Sequence, residues 1–103
     1  MKVLDIKKEI ESFKASGVLS QQTVEMIIGT KKYFLSDFSC SGDTLSLIVT
    51  RQHFKKTTNA ELLDILHSAH DSANVVITES PDKEGKTISQ VFCGRDYIEF
   101  LAE

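Results

Sequence analysis

The chain has 103 residues, 41% hydrophobic and 26% charged, with a formal net charge of −3. That length fits a single domain, 1–103, and that balance is ordinary for a folded chain, so disorder is set aside. No apolar run reaches the roughly 18 residues that a membrane helix needs, and no charged-then-apolar leader opens the chain; a cytoplasmic protein without a membrane partner is expected.

A first helix is predicted from about Asp5 to Lys14, with Val3, Ile6, Ile10 and Phe13 on one stripe. Ser16-Gly17 breaks it. A second helix is predicted from Ser20 as N-cap to Gly29 as stop, with Leu19 placed to staple onto Val24. The competing reading of "TVEMII" as a strand rests on its β-branched content.

The period then changes to two. "KKYFLSDFSC" and "DTLSLIVT" read as a hairpin over 31–50, closed near Ser41-Gly42-Asp43. The stretch "RQHFKK" follows as a basic connector. Thr58-Asn59-Ala60-Glu61 is a capping box, opening a helix that carries Leu62, Ile65, Leu66 and Ala69 on one face and ends by about Asp71. "NVVITES", "KTISQVFC" and "YIEFLA" read as three further strands, with Pro81 in the longest turn.

The fold expected from these elements is α+β: two N-terminal helices, a β-hairpin, one helix, then a three-stranded antiparallel meander. The five strands would form a single antiparallel sheet with the helices on one face. A displacement of 53 residues aligns "LSDFSCSGDTLSLI" with "ISQVFCGRDYIEFL", matching Ser36 with Ser89, Cys40 with Cys93 and Asp43 with Asp96. This reads either as a weak internal repeat, hairpins 31–50 and 85–102, or as two amphipathic hairpins alike because their physics is alike.

Charge is divided along the chain. Residues 1–57 hold nine Lys/Arg against six Asp/Glu, and residues 58–103 hold three against nine. A two-signed surface follows if the halves separate in space, suited to self-complementary contact. Cys40 and Cys93 are too few for a disulfide framework or a four-cysteine zinc site and read as buried, reduced thiols; a bridge between them is a matter of geometry.

His67 and His70, with Asp64 and Asp71, have ligand chemistry at helical spacing. Asp64, His67 and Asp71 fall opposite the apolar stripe, so a solvated charge cluster is expected and no metal site. Glycine-rich phosphate loops, a GxSxG elbow and HExxH are missing, and a strand-borne Cys93 is a poor nucleophile; the chain reads as non-enzymatic and without a cofactor.

"GVLSQQTVEMIIGTKK" resembles the turn and recognition helix of repressor-type helix-turn-helix proteins. The resemblance implies a DNA-binding transcriptional regulator using residues 17–32. Gln21 and Gln22 would read bases, and Lys31, Lys32 and Arg51 would contact phosphates. Leu19 is an extra residue in that pattern, and Glu25 has the wrong sign beside phosphates. The preferred expectation is a small regulatory or inhibitory module that docks on a protein partner, in the manner of accessory proteins of phages and mobile elements, with a homodimer through exposed sheet edges as a further possibility.

Overall fold

The computed structural model describes residues 1–15, 23–52, 57–80, 82–93 and 97–102, and the side chains of all of these except 13–15, 93 and 97. The described residues form α1 (Val3–Ala15), β1 (Thr23–Ile28), β2 (Lys31–Ser41), β3 (Thr44–Thr50), α2 (Asn59–His67), β4 (Asn74–Thr78), β5 (Lys86–Cys93) and β6 (Tyr97–Ala102). The six strands close into a barrel in chain order. Neighbours are antiparallel except at two seams, β3–β4 and β6–β1, which are parallel. The expected open antiparallel sheet with helices on one face is therefore wrong. Nothing local in the sequence announces that Thr23 will pair with Tyr97, and that pairing is what shuts the ring.

The second expected helix is also overturned where it can be seen, since residues 23–28 form β1. Val24 and Met26 are buried while Thr23, Glu25, Ile27 and Ile28 are half-buried, so the alternation of two prevails over the apparent helical spacing. Gly29, read as a helix stop, is instead the first residue of a two-residue hairpin loop with φ +66°. Gly42 does the same between β2 and β3 with φ +57°. In each loop positive φ falls on the glycine alone, the pattern of a type II′ turn, which matches the twist of the strands it joins. A helix stop and this turn demand the same left-handed glycine, which is why the signal was ambiguous.

The other elements follow their sequence cues more closely. Val3, Ile6 and Ile10 form the buried stripe of α1, and the Asp5 carboxylate accepts from Lys2 N–H at 3.0 Å. Thr58 caps α2, its Oγ1 accepting from Glu61 N–H at 3.3 Å. The helix stops at His67, short of Asp71, with the Ser68 N–H turned back to Ile65 O. Leu62 and Leu66 are fully buried and join the strands' inward residues in one core, with Phe100, Leu45, Leu47 and Ile98 at its centre.

Pairing in the second half repeats pairing in the first. Leu35 pairs with Val49 and, after a bulge, Asp37 pairs with Ile48 and Phe38 with Leu47. Displaced by 53, Ile88 pairs with Ala102 and, after a bulge, Gln90 pairs with Leu101 and Val91 with Phe100. The bulge serine makes the same bond twice: Ser36 Oγ donates to Ile48 O at 3.0 Å, and Ser89 Oγ to Leu101 O at 3.1 Å. An extra residue in a strand reverses the inward parity, so the inward residues run Leu35 then Phe38, and Ile88 then Val91.

Both helices start alike as well. Lys2 bridges to Asn74 at the head of β4, and Thr58 bridges to Thr23 at the head of β1. Val75 N–H donates to Met1 O at 3.0 Å and Val24 N–H to Thr57 O at 2.8 Å. Each dipeptide that leads into a helix is thus wedged beside a barrel strand. Gly85 is required by close approach: a Cβ there would lie 2.6 Å from Val76 Cγ2.

Candidate functional site

Two strand pairs are joined over only part of their length. β1 pairs with β2 through Lys31, Lys32 and Tyr33, and β4 pairs with β5 through Lys86 and Thr87. Beyond these short ladders β2 diverges from β1, and its edge from Leu35 to Ser41 has no partner strand among the described residues. A groove of about 210 Å³ lies there, between the β2 bulge and α2. Leu35, Phe38 and Ile65 supply its apolar surface; Ser36, Asp37, Thr57 and Glu61 supply the polar one.

Each wall has a local cause. The bulge at Ser36 turns Phe38 to the same side as its partner Leu47, which is wholly buried, yet Phe38 remains 38% exposed. Ile65 follows Glu61 by four residues, so one row of α2 presents an acid and then an apolar side chain to the groove. The Asp37 carboxylate accepts from Phe38 N–H at 2.8 Å. Glu61 receives the Thr58 hydroxyl at 3.4 Å. Among the described lining residues the charges are acidic, and none is cationic.

The residues of the DNA-reading scheme are described only in part. Gln21 and Gln22 lie outside the described residues, and the helix that would carry them is β1 from residue 23 onward. Lys31 and Lys32 open β2. Lys32 Nζ pairs with Glu25 Oε1 at 2.9 Å, and the Arg51 guanidinium stands over the Tyr33 ring at 5.8 Å. Lys32 and Arg51 are thus engaged within the chain, on an ion pair and on a cation–π contact.

Other expected chemistry is dispersed. Asp71 pairs with Lys7 at 2.8 Å, and that hydrogen bond, then the lysine's charge, holds its carboxyl below the usual carboxylate range. Among the described residues no three of His, Cys, Asp and Glu gather as metal ligands. Cys40 is a free, exposed thiol where a buried one was expected, because it lies on the outer end of β2 past the bulge; it is not bridged to Cys93. The side chain of Cys93 and the connector residues 53–56 lie outside what is described.

The groove residues were missed in the sequence, although a signal was present. "LSDF" sets two polar residues between two apolar ones, breaking the alternation of two, and "ISQV" breaks it identically. Such a break inside a strand marks a bulge, and bulges re-aim side chains.

No protein-family description, curated protein or solved structure matches this chain. No helix among the described residues is long and apolar enough to cross a membrane.

Proposed function

We propose that this chain is a non-enzymatic docking module that binds a partner protein in the groove between β2 and α2. One observation carries the reading: a strand edge with no partner strand among the described residues and a half-exposed aromatic, Phe38, stand together beside an apolar recess. Apolar surface left open next to unpaired backbone is the combination that protein contacts cover. The Ser36 hydroxyl points to recognition and away from bond-making, since its Oγ is committed to Ile48 O.

The test uses a photo-reactive amino acid in place of Ile65 in the native cell, with the same probe at Leu4 as control. Leu4 is more open than Ile65, at 39% exposed, and lies on α1. A defined adduct from position 65 that position 4 does not give is expected. Identical adducts from both positions, or an adduct only between two copies of the chain, would overturn the assignment.

A further inference from the structure

The chemistry of the partner segment can be read from the same groove, and the inference rests on the docking role proposed above. We infer that the occupant is an extended segment with alternating apolar and cationic residues, added as a strand to the β2 edge.

In an antiparallel ladder a residue's N–H and C=O face the same neighbour, and the direction alternates along the strand. Phe38 N–H is held by the Asp37 carboxylate at 2.8 Å, so the Phe38 amide faces the outer edge, and Cys40 follows with the same direction. The edge from Phe38 to Ser41 carries no charged side chain, and no proline, in a chain that is 26% charged. Strand edges that must stay unpaired are ordinarily blunted by lysine or proline. Here the lysines, Lys31 and Lys32, fall on the part of β2 already paired with β1.

Among the described residues, Asp37 is the device that guards this edge. An incoming strand takes over Phe38 N–H with its own carbonyl, displacing the Asp37 carboxylate. That carboxylate then needs a new partner, and a lysine or arginine on the arriving strand supplies it. Side chains of consecutive residues in a strand face opposite ways, so Asp37 and Phe38 select two alternating classes, cations on one side and apolar groups on the other. Glu61 on the opposite wall adds to the acidic character of the groove. Main-chain bonds would give affinity, and the two alternating rows would give selectivity.

The probe is a capped synthetic hexapeptide alternating lysine with valine or isoleucine, titrated into the full chain and followed by backbone amide NMR shifts. Shifts should concentrate at residues 35–41 and 61–65. N-methylating the peptide's central amides should weaken binding about tenfold or more, the equivalent of one lost hydrogen bond. Replacing its lysines with glutamates should abolish binding, and Asp37→Asn should weaken the lysine peptide severalfold and flatten its salt dependence. If the N-methylated peptide binds equally well and still shifts the groove amides, strand addition fails while the docking site stands. Shifts confined to other surfaces sink both. Self-association of the free protein through the same amides would replace the foreign segment with a second copy and overturn the inference.

Discussion

The two αβββ halves of the barrel share a ladder but not a seam. Asp37–Ile48, Phe38–Leu47 and the bulge before them recur as Gln90–Leu101, Val91–Phe100 and their bulge. Yet Phe38 is 38% exposed where its counterpart Val91 is 9% exposed. In the second half Met1 N donates to Ile88 O at 3.3 Å, tying the leading residue of α1 to the β5 edge. In the first half the corresponding place is the acidic groove beside α2. The scaffold repeats and the filling of its seams does not, so the difference between halves marks out the groove better than either half alone.

The strongest way to break the comparison is through the shared core. Phe100→Ala should cost about 3–5 kcal/mol and its counterpart Leu47→Ala about 2–5 kcal/mol, because both are wholly buried. Urea unfolding followed by far-UV circular dichroism should show one transition in each variant. Two transitions would mean that the halves are separate cooperative units and not one barrel.

A second substitution sharpens the comparison. Val3 at the start of α1 is matched at the start of α2 by Asn59, which is 5% exposed and whose Oδ1 has no hydrogen-bond partner among the described residues. Asn59→Val should therefore stabilise the protein by about 1–3 kcal/mol, the usual cost of an unsatisfied buried carbonyl. A drop in midpoint would show that the amide serves a purpose that the α1 side lacks.

The smallest effect belongs to an ion pair. Lys7 on α1 holds Asp71, while α2 has Leu63 at the corresponding place. The Asp71 pKa is lowered from 3.8, so the pair's contribution is present above that value and fades as pH falls through the lowered one. Asp71→Asn should lower the melting temperature slightly at pH 7, and the difference should shrink as pH falls below 3.8. A difference that stays constant over that fall would rule out the charge as its source.

Much of the local structure was legible. The capping box at Thr58, the buried stripe of α1 and the strand pairs on either side of Gly42 all follow from neighbours in sequence, and the structure places them accordingly. What was not legible depends on distant partners. "TVEMII" looks helical by its flanking cues, and it becomes a strand because β6 and β2 lie on either side of it. Tertiary pairing overrides local preference in such short apolar runs. The groove required knowing that β2 parts from β1 after Tyr33, which follows from where Thr57 and Thr58 insert and not from β2 itself.

The parallel contact between Thr23–Ile28 and Tyr97–Ala102 has a consequence for how this protein is made. Its partners stand far apart in sequence, so a nascent polypeptide that has not yet added Tyr97–Ala102 leaves β1 with one flank bare. Loop-closure entropy for so remote a pairing makes it a late event. During synthesis that bare flank is the surface most in need of shielding, until residues 97–102 emerge.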